Sequence, residues 1–363
     1  MACETKTWLV LHLLLLVTCY MQHCVHGKSS QVPCIFIFGD GMSSNGNNNM
    51  LPTTAKANYK PYGIDFPTGP TGRATNGRTA IDIIGELLGF KDFIPPFANI
   101  GDSNISKGVN YASGGAGIRD ETGKHLGANV ALGLQIENHK TIVSRLASKL
   151  GGLPQGINYL NKCLYYVNIG STDYIYNYYL PQFYTTSRTY SSEQYAEALI
   201  NQLSLYIQTL HDVGARKLVL VGLGRIGCTP KAIAANGTNG LCDENKNADA
   251  LIFSHKLKSL VDKFNTLHLD SKSIFINRTA RAVLDRSLGF TVFNNSCCPM
   301  RSDGLCVPNS IPCPNRKEYV FYDGVHVTST VNNLTASSAY DSASNPETTY
   351  PMDIKHLAQY TIT

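Results

Sequence analysis

Two hydrophobic rhythms alternate along this chain. Short, nearly unbroken apolar runs at Ile35–Phe38, Leu164–Ile169, Lys217–Gly222 and Ser273–Ile276 read as buried strands, and Val109 opens another that runs into a glycine-rich turn. Between them the apolar residues fall at helical spacing. Ile81, Ile84 and Leu88 share a face within Thr79–Leu88, and Leu132, Ile136, Ile142 and Leu146 do so within Asn129–Leu150. Tyr195, Leu199, Leu203, Ile207 and Leu210 mark Ser192–Val213, and a further long helix spans about Asn245–Leu267. Strands alternating with helices at this spacing predict an α/β fold, a parallel sheet with helices on both faces.

The interruptions in this rhythm carry information of their own. Pro52–Gly77, rich in Gly, Pro, Thr and Asn, predicts a long loop. Tyr174–Tyr190 holds six tyrosines, suited either to packing on the body of the protein or to walling a pocket. From about Thr335 the chain turns rich in Ser, Ala and Thr, which predicts a loosely ordered tail. No internal repeat and no linker appears, so residues 28–363 read as one domain.

The amino-terminal pattern differs. Lys6 precedes an apolar run, Trp8 to Val17, and Val25-x-Gly27 supplies small residues for cleavage, so residues 1–27 read as a secretory signal peptide. No later run approaches about 18 apolar residues, and no stable membrane insertion is expected. The expected destination is extracellular, the apoplast or cell wall, or another secretory compartment.

Composition fits that destination. Of 11 cysteines, Cys3, Cys19 and Cys24 fall in the leader, which leaves Cys34, Cys163, Cys228, Cys242, Cys297, Cys298, Cys306 and Cys313. An even number in a secreted chain predicts disulfides, with adjacent Cys297 and Cys298 bonded to different partners. The cluster from Cys297 to Cys313 lacks paired C-x-x-C spacing and nearby histidines, which argues against zinc. Sequons at Asn104, Asn236, Asn277, Asn294 and Asn333 are candidate glycosylation sites. The net charge of +5, without a dense Lys/Arg run, leaves no nucleic-acid footprint. No cofactor is called for.

The candidate chemistry sits at strand ends. Gly39-Asp40-Gly41 follows the first strand, and in open α/β sheets ligands bind at the carboxyl edge of the strands. Gly114-Gly115 and Gly170-Ser171-Thr172-Asp173 follow two others. Near the carboxyl terminus stands Asp323-x-x-His326, a spacing that suits an imidazole oriented by a carboxylate.

Taken together, Phe38-Gly39-Asp40-Gly41-Met42-Ser43-Ser44-Asn45-Gly46-Asn47-Asn48-Asn49, the run Pro70–Thr79, the glycine turn and Asp323-x-x-His326 resemble the ordered blocks of the plant GDSL esterase/lipase family, a branch of the SGNH hydrolases. The resemblance spans Ile35 to about His326. It implies a flavodoxin-like three-layer α/β/α sandwich with a central parallel sheet, whose relatives hydrolyse or transfer acyl groups on esters and lipids.

It also implies a departure. The family's nucleophilic serine falls on Gly41, its first-block leucine on Met42 and its first-block aspartate on Ser44; the asparagine of its third block falls on Thr172, and a valine, Val327, follows His326 in place of proline. The implied catalytic pair is His326 with Asp323. The implied oxyanion positions are the backbones of Gly41 and Gly115 together with Thr172, whose single hydroxyl on a short arm replaces an amide poorly. Losing one oxyanion donor costs about 10²–10³ in rate, whereas losing a triad serine costs on the order of 10⁶.

Three functions are compatible with these residues. The first is a protein without ordinary serine-esterase activity that binds an acyl, ester or specialised-metabolite ligand in the retained pocket. The second is an enzyme in which His326, oriented by Asp323, acts as a general base without a covalent intermediate. The third is ordinary ester hydrolysis through a displaced serine, with Ser43, Ser44, Ser113 and Ser171 as candidates. His125, His139, His211, His255, His268 and His356 carry no motif and receive no role.

Overall fold

The structure, a computed structural model, describes residues 30–101, 105–236, 240–279 and 286–361. The leader at 1–27 and the sequon at Asn104 lie outside these residues. Among the described residues eight strands form: β1 (Ile35–Gly39), β2 (Gly108–Asn110), β3 (Leu164–Asn168), β4 (Lys217–Val221), β5 (Lys272–Ile276), β6 (Val292–Ser296), β7 (Tyr319–Phe321) and β8 (Thr349–Tyr350). The main sheet runs β2-β1-β3-β4-β5-β8. Its first five strands are parallel, and β8 closes the edge antiparallel to β5. Strands β6 and β7 pair separately.

Each face of the sheet has its own core. Phe36, Phe38, Tyr165, Val167, Leu218 and Leu220 pack against the helices Leu132–Leu150, Ser192–Asp212 and Glu244–Leu267. Ile35, Ile37, Leu164, Tyr166, Val219 and Ile274 pack against Ala80–Leu87, Ser329–Tyr340 and Ile354–Gln359. Alternate side chains of each strand thus serve opposite faces, and because helices cover both, the strands read as continuous apolar runs. The result is the expected three-layer α/β/α sandwich.

Local signals set the helix boundaries. Thr79 caps Ala80–Leu87 in a reciprocal pair with Asp82, and Ser191 caps Ser192–Asp212 with Gln194 in the same way. The helix expected from Asn129 begins instead at Leu132. The Asn129 side chain is engaged by the loop before it, donating to the carbonyls of Gly115 (2.9 Å) and Thr122 (2.9 Å).

The carboxyl-terminal region differs from expectation. The Ser/Ala/Thr-rich stretch beyond Thr335 continues the helix Ser329–Tyr340, followed by β8 and the helix Ile354–Gln359. Small residues are what this position needs, because Ala336 and Ala339 lie buried against the sheet face. Ile354 and Leu357 are buried as well, and Lys217 Nζ donates to the Ala358 carbonyl at 2.6 Å. Composition alone misses this, because the tail is ordered by long-range burial rather than by local propensity.

Four disulfides link Cys34–Cys163, Cys228–Cys242, Cys297–Cys313 and Cys298–Cys306. The first ties the start of β1 to the start of β3. The last two fold the segment between β6 and β7 against the loop that carries Asp323.

Candidate functional site

Chain order in the sheet creates the site. The chain passes from β1 to β2 on one side and then to β3 on the other, so the loops leaving β1 and β3 diverge and open a crevice at the carboxyl edge. Gly41 follows β1, Gly114 and Gly115 follow β2, and Ser171 and Thr172 follow β3; all line one cleft. His326, from the turn after β7, closes it.

The asparagine-rich segment after β1 is scaffolding. Asn45 donates to the Ile94 carbonyl (2.7 Å), and Asn47 donates to those of Asn110 (2.9 Å) and Ala112 (2.8 Å). Asn48 donates to Ala55 and Gly114, and its own oxygen takes the Ser113 hydroxyl (2.6 Å) and the Gly114 N–H (3.0 Å). These bonds satisfy loop backbone that would otherwise be buried unpaired, and they fix the β2 loop relative to the β1 loop. Gly115 itself has φ +77°, a backbone shape that glycine adopts without strain.

On the other side of that loop, Asp173 accepts from Thr122 Oγ1 (2.7 Å) and from the Ile118 (2.8 Å) and Arg119 (3.2 Å) N–H groups. Burial pushes its carboxyl up to about 7 despite those three donors. Its place is structural, pinning residues 118–122 beneath the cleft.

Asp323 and His326 meet as expected. Nδ1 of His326 lies 2.9 Å from Asp323 Oδ2 and 3.1 Å from Oδ1. The carboxylate is fully buried and accepts three further hydrogen bonds: the Val325 N–H (2.8 Å), the His326 N–H (2.6 Å) and the Tyr62 hydroxyl (2.7 Å). Tyr62 in turn accepts the Cys306 N–H at 2.9 Å, so a relay of hydrogen bonds joins the Cys298–Cys306 loop to the imidazole. Burial works against the imidazolium, but the attraction and hydrogen bond of Asp323, with Asp40 assisting, outweigh it and hold the His326 pKa above its ordinary value. Sequence reasoning missed Tyr62, which sits unmarked in the long loop, 261 residues from its partner.

The other imidazole nitrogen faces Gly41. A Cβ built on Gly41 would lie 2.5 Å from His326 Nε2, well inside van der Waals contact. Among the described residues Nε2 has no hydrogen-bond partner, and no protein acceptor takes the Gly41 or Gly115 N–H. The Gly41 and Gly115 N–H groups and one ring nitrogen thus line one cleft without protein partners among the described residues.

Thr172 lines the cleft, but its hydroxyl points elsewhere. It donates to Asp40 Oδ2 at 3.0 Å, beside the Ser171 hydroxyl at 2.6 Å, while the Met42 N–H occupies Oδ1 at 3.0 Å. The expected third oxyanion donor is thus committed to a neighbouring carboxylate. None of the four candidate serines hydrogen-bonds His326. Ser43 accepts from Asn168 (3.1 Å), Ser113 bonds Asn48, Ser171 bonds Asp40, and Ser44 lines the cleft without a bond to the ring.

The rest of the wall is largely apolar, formed by Ala57, Leu126, Ile175, Tyr176, Leu305 and Val325, with Lys56 also lining the cleft. Tyr176 settles the dual expectation for the tyrosine-dense segment: it lines the cleft, whereas Tyr174 and Tyr178 pack into the core with Tyr195.

The four sequon asparagines among the described residues lie outside this cleft. Asn333 is exposed on the helix Ser329–Tyr340, Asn277 and Asn294 each donate to a backbone carbonyl, and Asn236 ends the helix Pro230–Asn236. No helix among the described residues is long and apolar enough to cross a membrane.

Comparison with known proteins agrees with this geometry. Residues 35–339 match the family described as GDSL-like Lipase/Acylhydrolase. The GDSL esterase/lipase At1g29670 of Arabidopsis thaliana is 44% identical over 339 residues, 91% of this chain and 92% of the relative. A second from the same plant, At2g19010, is 45% identical over 322 residues, 87% of this chain and 90% of the relative. With its cleft at the β1/β3 divergence and its Asp323–His326 pair in place, the chain belongs to the plant GDSL esterase/lipase family.

Proposed function

We propose that this protein is a secreted, glycosylated GDSL-family member without serine-esterase activity, which binds an acyl-type small molecule in the cleft at Gly41. One observation carries the reading: His326 Nε2 lies 2.5 Å from where a side chain on residue 41 would begin, and among the described residues no serine hydrogen-bonds that nitrogen. A base with no hydroxyl to deprotonate cannot generate the serine alkoxide on which acyl-enzyme chemistry depends. The cleft retains what binding requires, a largely apolar wall and backbone N–H groups without protein acceptors.

A second reading has its own support. His326 is oriented by Asp323 and open at Nε2, the arrangement of a general base able to act on water or on a bound substrate. This reading predicts turnover that disappears in His326→Ala.

Labelling with a fluorophosphonate, which phosphonylates activated serines, separates these readings from hidden serine chemistry. The wild-type protein is expected to remain unlabelled. Stoichiometric labelling at Ser43, Ser44, Ser113 or Ser171, mapped by mass spectrometry, would overturn the proposal.

A further inference from the structure

We propose that the cleft is a receptor for a free carboxylate with an apolar body, the carboxylate seated at Gly41 against the Gly41 and Gly115 N–H groups and His326 Nε2. This rests on the reading above that residue 41 supplies no nucleophile.

The first argument is space. Without a Cβ at residue 41, the space beside His326 Nε2 is open to a ligand atom rather than to a protein hydroxyl. An ester places one carbonyl oxygen there. A carboxylate places two oxygens, one for the backbone pair and one for the imidazole, and each bond becomes charge-assisted, roughly twice as strong as its neutral counterpart.

The second argument is proton inventory. Asp323 holds Nδ1, so Nδ1 carries the ring's first proton and Nε2 gains one only in the imidazolium. The groups facing this ring are Asp323, itself bonded to Tyr62, and Asp40; both favour the charged form, and its pKa is raised. Asp40 would oppose an anion, but its oxygens already receive Met42 N–H and the Ser171 and Thr172 hydroxyls. On the cleft wall, half-buried Lys56 is the one lining side chain with a permanent positive charge, and its ammonium has no bonded partner among the described residues. The cleft thus offers an ammonium and an imidazole that favours its charged form, beside apolar walls, which suits an amphiphilic acid better than its ester.

Isothermal titration calorimetry of the mature protein with octanoate and with methyl octanoate tests this. Octanoate is expected to bind at least about tenfold more tightly than the ester near pH 6, and to weaken as the pH rises through the His326 pKa. His326→Gln and Lys56→Met are each expected to weaken octanoate about tenfold and the ester by less, circular dichroism confirming that both variants fold. Equal or tighter binding of the ester, or octanoate affinity unmoved by both substitutions, would overturn the proposal. Failure to bind octanoate by a protein that is also silent toward esters would overturn the carboxylate proposal alone. Release of octanoate from methyl octanoate, abolished by mutation of one serine, would overturn the earlier reading and this one together.

Discussion

Nε2 of His326 lies 2.5 Å from the point where a Cβ on Gly41 would stand, so the imidazole and a side chain at residue 41 compete for one space. Restoring a serine therefore asks the ring to retreat while Asp323 holds its other nitrogen at 2.9 Å. Gly41→Ser is expected to gain ester hydrolysis over the wild type, because the base and its orienting carboxylate stand in place and the Gly41 and Gly115 N–H groups line the same cleft without acceptors. The check is the steady-state rate on a short-chain p-nitrophenyl ester, with a mock-purified control.

Thr172 sets the next limit. Its hydroxyl serves Asp40, so a tetrahedral oxyanion formed in Gly41→Ser would find two donors rather than three. Adding Thr172→Asn is expected to raise kcat on the order of 10²-fold above the single variant. Equal rates for single and double variants would show that an amide at 172 does not reach the oxyanion.

Tyr62 links the disulfide-bonded loop to the Asp323 carboxylate and is fully buried. Tyr62→Phe leaves the Cys306 N–H without its acceptor and removes one donor from Asp323. A loss of about 1–3 kcal/mol is expected, read as a lower urea midpoint at unchanged m-value.

His326 titrates higher in the folded protein than in the unfolded chain. Its contribution to stability is therefore complete below about pH 6.5, the unfolded value, and is lost as the pH rises through the folded pKa. His326→Gln is expected to flatten the decline of stability as the pH rises above about 6.5, measured by urea unfolding across that range.

His139 shows the opposite sign. It is fully buried among Phe36, Phe38 and Tyr165, with Nδ1 3.1 Å from the Tyr111 hydroxyl, and burial lowers its pKa to about 3. The unfolded chain then binds the extra proton first, so stability falls as the pH drops from about 6.5 toward 3, by about 2 kcal/mol at pH 5. His139→Phe is expected to flatten this acid limb in thermal melts between pH 7 and 5.

The parts legible in the sequence were those encoded locally. The strands declare themselves because both sheet faces are covered, which turns half-buried alternation into apolar runs such as Ile35–Phe38 and Lys217–Val221. The turn from Asp323 to His326 is equally local, three residues wide, so spacing alone places the carboxylate on the ring. The commitments of Tyr62 to Asp323 and of Thr172 to Asp40 join residues 261 and 132 apart, and no pattern along the chain marks them. The tail beyond Thr335 misled for a related reason: its small residues match a disordered composition, but their size is what a helix pressed against a sheet requires.

The most direct test of the account is hydrolysis of a short-chain p-nitrophenyl ester by the mature wild-type protein, with His326→Ala beside it. The account predicts no turnover above the buffer rate in either protein. Wild-type turnover that disappears with His326→Ala would contradict it, because the imidazole would then be driving ester cleavage without a side chain at residue 41.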